Sequence, residues 1–170
     1  MIGVVGAVWG LAGVLLLLGS AIYRLTLGAM KGFSYHFSWY HWMTLVFVVL
    51  CMAYSEGYRA FQKGFSPRVA ARARYLKEHP RALHVLAAPL FCMGYFYAPR
   101  RRRITSISVT AGIVVLVLLV RLLQQPWRGI IDLGVVVGLA WGLISLLVFG
   151  VRALTSKVFP YSPEVPERIE

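Results

Sequence analysis

Two carboxylates, Glu56 and Asp132, stand inside long apolar stretches of this 170-residue chain. Ionisable groups in such places are costly to keep from water and are the first positions to inspect for function. Glu56 sits in Tyr54-Ser55-Glu56-Gly57-Tyr58-Arg59, and Arg59 is three residues on, so the two can pair along one helix face. Without that pairing, Glu56 would serve as a proton or cation ligand, or as an anchor for a re-entrant segment at 82–98. Asp132 begins the last apolar stretch and Arg121 ends the one before it. Antiparallel neighbours would bring those two to similar depth, as a helix–helix salt bridge.

The remaining reactive side chains point away from catalysis. His36 and His41 lie in one region and His79 and His84 in another. A membrane haem needs axial ligands from facing helices at matched depth, which disfavours a haem within one chain, though a dimer could supply a ligand from each copy. A five-residue spacing does not put His36 and His41 on one helical face, and no carboxylate pair stands near for a metal. No cofactor and no metal are expected. Cys51 and Cys92 lie in apolar segments without a C-x-x-C and read as buried free thiols. There is no G-x-S-x-G, no glycine-rich phosphate loop and no acidic metal cluster. The stretch Tyr75-Leu76-Lys77-Glu78-His79-Pro80 resembles the Arg-His-Pro motif of isoprenylcysteine-type membrane methyltransferases at His79-Pro80. That family's glutamate-rich C-terminal element has no counterpart, so no residue role is carried over.

The elements that would position these groups are set by composition. The chain is 59% hydrophobic and 14% charged, against about a quarter charged in soluble domains. Ile2 to Tyr23, Phe33 to Ser55, Ile104 to Leu123 and Leu133 to Val151 are long apolar runs, and about 18 such residues suffice to cross the hydrocarbon layer. Without water each must satisfy its own backbone, which selects the helix. No Lys or Arg precedes the first run, and it exceeds a usual signal core, so it reads as a retained helix. The expected fold is an all-α integral membrane protein: a helical bundle of four strong transmembrane helices at about 2–23, 36–58, 104–123 and 130–152. A fifth, Pro-interrupted segment at 82–98 is either re-entrant or a short span. One domain, 1–155, is followed by an exposed tail, 156–170.

Charge decides between the two readings of 82–98. If it crosses, the 18 Lys and Arg residues divide nine against nine and favour neither orientation. If it dips and returns around Pro89, four cations (Arg24, Lys31, Arg121, Arg128) face out and the other fourteen face in. The second arrangement is the expected one. It puts both termini in the cytoplasm and the chain in a cell inner membrane.

Small residues mark the packing faces. Gly3, Gly6, Gly10 and Gly13 share one face of the first helix, and Gly134, Gly138 and Gly142 recur every fourth residue in the last. Such seams let helix backbones approach closely, here by packing first against last helix or by dimerisation. Phe33, Tyr35, Phe37, Trp39, Tyr40, Trp42 and Trp127 form an outer aromatic belt. Ser66-Pro67 starts a basic amphipathic helix over 67–78, expected at the inner surface with Val69, Ala73 and Leu76 on one face. Arg68, Arg72, Arg74 and Lys77 from it, with Arg100, Arg101, Arg102 and Arg103, are the expected contacts to anionic lipid. Every basic cluster abuts a membrane segment, which excludes nucleic acid as a partner. The expected function is that of a non-catalytic small subunit, accessory factor or homo-oligomer of a membrane assembly, acting through helix packing and anionic-lipid contact. The alternative is a small transporter, channel or lipid-handling protein using Glu56 and the basic inner surface.

Overall fold

The computed structural model describes residues 2–80, 82–156 and 158–165. Arg81, Lys157 and the end of the tail with Arg168 lie outside them. Among the described residues every regular element is helical. α1 (Ile2–Phe33) is followed by α2 (Trp39–Met52), a π-helical segment (Ala53–Phe65) and α3 (Ser66–Glu78), which run on from one another without a break. Two short helices follow, α4 (Ala82–Leu86) and α5 (Ala88–Met93), then α6 (Arg100–Arg121) and α7 (Trp127–Thr155).

Three helices, α1, α6 and α7, are long and apolar enough to cross a membrane. The expected second span, 36–58, is not a single uniform helix. α2 ends after 14 residues, and its continuation widens into a π-helical segment in which the Ser66 N–H reaches the Phe61 carbonyl, five residues back. The widening accompanies bulky-to-small packing against α7. Trp141 of α7 fills the space that a side chain on Gly57 would need, and Phe61 fills the space at Gly142.

α1 runs antiparallel to α7, with Gly32 meeting Gly129 near one end and Leu11 meeting Gly150 toward the other. The α2–α3 run lies parallel to α7. Val48 meets Gly134, Glu56 meets Gly138, and the Lys77 ammonium donates to the Leu154 carbonyl at 2.9 Å. The start of α1, the end of α3 and the end of α7 therefore share one end of the bundle, hereafter the proximal end. The distal end carries the aromatic cluster, where the His41 ring packs at a tilt against Tyr40 and Trp127, with ring separations of 4.1 and 4.9 Å. The Ser38 N–H donates to His41 Nδ1 at 3.1 Å and the Gly129 N–H to Gln125 Oε1 at 3.1 Å, satisfying backbone donors that have no partner within the helix at the starts of α2 and α7.

The two glycine seams do not face each other. The α7 seam receives α2 and the π-helical segment. The α1 seam receives α3 and the segment after it: a Cβ on Gly10 would lie 2.8 Å from Cys92 Sγ, and one on Gly6 would meet Val85. Segment 82–98 is broken at Ala87 (φ −102°, ψ 33°), Pro89 stands in the first turn of α5, and Gly94 reverses the chain in the left-handed region (φ 84°). Its contacts move along α1 from Gly6 to Gly13, an advance of about 10 Å at 1.5 Å per residue. The chain then turns back, and α6 starts beside the turn, with Ser106 Oγ donating to the Met93 carbonyl at 3.1 Å.

The core gathers in the proximal half, where Ala7, Leu11, Val14 and Leu18 of α1 meet Val69, Ala73 and Leu76 of α3, with Phe91 and Cys92 of α5 and Leu146 of α7. This places α3 otherwise than expected. Its apolar face turns into the bundle, and eight of its residues are buried, so it is a core helix and not one lying on a surface. The tail differs as well. Tyr161 packs edge-on to Phe149, and Val165 rests against the core. α6 is the opposite case, since none of its 22 residues is buried.

Candidate functional site

The ionisable groups expected at membrane depth do not pair as their spacing suggested. Glu56 is half-buried against α7, where a Cβ on Gly138 would lie 3.1 Å from its Oε2. Arg59 is exposed, and no ion pair joins it to Glu56 among the described residues. The π-helical turn is wider than the α turn on which a three-residue pairing relies, and it directs Glu56 to α7 instead. Asp132 is 4% exposed and faces Arg128, one turn earlier on its own helix, at 3.7 Å. Arg121 is exposed. The short 122–126 connection and the looseness of α6 leave Arg128 as the nearer cation. Of the two thiols, Cys92 is buried and Cys51 exposed.

Of the eight cations expected at lipid headgroups, Arg72 departs furthest, being 3% exposed. Its guanidinium lies 4.4 Å over the Phe91 ring. Nε donates to the Phe91 carbonyl at 2.6 Å, and Nη2 to those of Phe96 and Tyr97 at 2.9 and 3.0 Å. Nη1 donates to the carbonyls of Pro163 and Glu164 at 3.0 and 3.2 Å. One planar fork thus holds α3, the end of α5, the turn after it and the tail together, a task the arginine geometry suits and a lysine would not. Burial pulls this guanidinium down to about 10, so it stays protonated at neutral pH. An anionic lipid cannot reach it. The signal in the sequence was the alanine run Ala70-Ala71-Arg72-Ala73, because a helix lying on a membrane has no need of small residues around its whole circumference.

The other cations divide. Arg74 pairs with Glu78 at 2.9 Å and donates to the Ser156 carbonyl at 3.0 Å, so with Lys77 it covers carbonyls at the end of α7. Arg68 donates to the Gly64 carbonyl at 2.7 Å. Arg100, Arg101 and Arg103 are exposed on the first turn of α6, and Arg102 faces Glu164 at 3.4 Å. Pro99, Arg101, Arg102, Thr105 and Glu164 line a recess of about 320 Å³ at this place.

A second recess, about 440 Å³, runs between α7 and the π-helical segment and is walled mainly by Val137, Trp141, Ile144, Val148 and Phe149. Gln62 at its edge accepts a hydrogen bond from the Trp141 indole at 2.8 Å. Neither Gln62 nor Trp141 stands out in the sequence, since one is a lone amide and the other one aromatic among many. Glu56 lines neither recess. The candidate site is therefore the proximal end around the Arg72 clasp and the arginine recess beside it. No family model, no curated protein and no solved structure matches this chain.

Proposed function

We propose that the chain is a non-catalytic membrane subunit or homo-oligomer that works by helix association, with α6 as its outward-facing contact. The observation that carries this reading is that α6 is apolar, tethered near both its ends, and buries none of its residues against the rest of the chain. Thr105, Ser108 and Gly112 fall on one face of it, and nothing lies within 4 Å of a Cβ built on Gly112. The glycines of the other seams are all covered from within the chain. Small residues on a membrane helix favour close packing against another helix. Glu56 lies against Gly138 of α7, a packing position, which supports helix association over a transporter built on that carboxylate.

In this reading α1, α2 with the π-helical segment, α6 and α7 cross a cell inner membrane, and 82–98 enters and leaves at the proximal end. The placement of Lys77 and the start of α6 beside the same core supports it. The fourteen-to-four distribution of cations in this arrangement favours a cytoplasmic proximal end, with its exposed arginines at anionic lipid. Gentle extraction followed by native mass spectrometry tests the association. The expected result is an oligomer or a co-purifying membrane protein that is lost in Gly112→Leu. A monomer carrying lipid alone, unchanged by that substitution, overturns the proposal.

A further inference from the structure

Four consecutive arginines open α6, where the helix dipole already concentrates positive charge and where Pro99 leaves the first N–H groups without a side-chain cap. The described acidic group that answers them is Glu164, at 3.4 Å from Arg102, and this pair is partly open, with the carboxylate side chain 41% exposed. An ion pair so exposed contributes little by itself. Yet the backbone at Glu164 takes a left-handed conformation (φ 47°) that a residue with a side chain seldom adopts. The two Arg72 bonds to the Pro163 and Glu164 carbonyls hold it there. The fold thus uses a buried clasp to place one carboxylate in a recess of surplus arginine charge.

We infer that the recess lined by Arg101, Arg102 and Thr105 is a binding site for the phosphate of an anionic membrane lipid, and that Glu164 is its built-in competitor. The apolar run of α6 begins at Ile104, so these arginines stand one turn outside the hydrocarbon, at phosphate level. Arginine forks match phosphate oxygens, and uncapped N–H groups at a helix start favour an anion. A lipid phosphate entering the recess displaces the Glu164 carboxylate from Arg102, while Arg72 keeps the tail clasped through main-chain carbonyls. Glu164→Gln therefore removes the competing charge without removing the clasp.

The inference rests on the membrane placement proposed above and is separable from the association through α6. The test uses the full chain in neutral phosphatidylcholine nanodiscs, with phosphatidylglycerol as the probe and bound lipid counted by native mass spectrometry. Phosphatidylglycerol is expected to be retained over phosphatidylcholine. Retention should fall several-fold in Arg101→Gln/Arg102→Gln, rise several-fold in Glu164→Gln, and change little in Arg24→Gln, an exposed cation toward the distal end of α1. Equal retention of the two lipids, or a Glu164→Gln variant that binds no better than wild type, overturns the inference. Equal competition by inorganic phosphate at matched concentration overturns the lipid assignment in particular. Loss of lipid preference with the oligomer or partner intact refutes this site alone, whereas a chain that fails to enter membranes refutes the proposed function with it.

Discussion

Arg72→Met tests the clasp directly. Methionine fills much of the same volume but deletes five N–H···O bonds of 2.6 to 3.2 Å to three separate segments. At a net value of about 1 kcal/mol each, the bonds together would contribute about 5 kcal/mol. Two terms reduce the loss. The Pro163 and Glu164 carbonyls lie on half-buried residues and regain water once freed, and the variant no longer carries the cost of holding a charge out of solvent. The expected destabilisation is about 3 kcal/mol, which for a chain of this size lowers the unfolding midpoint by roughly 6 to 12 °C. Thermal unfolding in detergent measures it, and limited proteolysis should show cleavage within 158–165 at temperatures where wild type is protected. Arg72→Lys keeps the charge but offers donors from one point, so it should fall between the two. An Arg72→Met protein that unfolds within about 2 °C of wild type, with its tail still protected, would show that packing alone holds these segments and would refute the argument.

Gly10→Leu and Gly138→Leu should each unfold at clearly lower temperature than Leu16→Ala. A Cβ on Gly10 already meets Cys92 Sγ at 2.8 Å and one on Gly138 meets the Glu56 Cβ at 3.0 Å, whereas Leu16 is 68% exposed; near-wild-type glycine variants would mean that the seams are open. Cysteines placed at Lys77 and Arg101 should label from the same face of intact membranes, since both flank the reversal at Gly94, and opposite accessibility would make 82–98 a true crossing. Glu56→Gln should leave the unfolding midpoint within about 2 °C of wild type, because Glu56 holds no ion pair among the described residues; a large drop would show a partner for this carboxylate within the assembled protein.

The sequence by itself carried the helical class and the long apolar runs. Uncharged runs such as Ile2 to Tyr23 are long and apolar enough to cross a membrane, and in such surroundings the helix is the form that satisfies its own backbone. Local spacing also carried the buried face of α3, because Val69, Ala73 and Leu76 recur at helical period whatever they pack against. What spacing could not carry was the identity of each partner. The glycines of α1 marked a close approach, yet only the assembled bundle decided that α3, α4 and α5 fill that seam and that α7 turns its own seam elsewhere. The same holds for charge. Arg72 and Arg101 are alike as letters, and one-dimensional patterning assigned both to lipid. Tertiary structure separated them, because five carbonyls converging from positions 91 to 164 compensate a buried guanidinium, and that convergence exists only once distant segments have met.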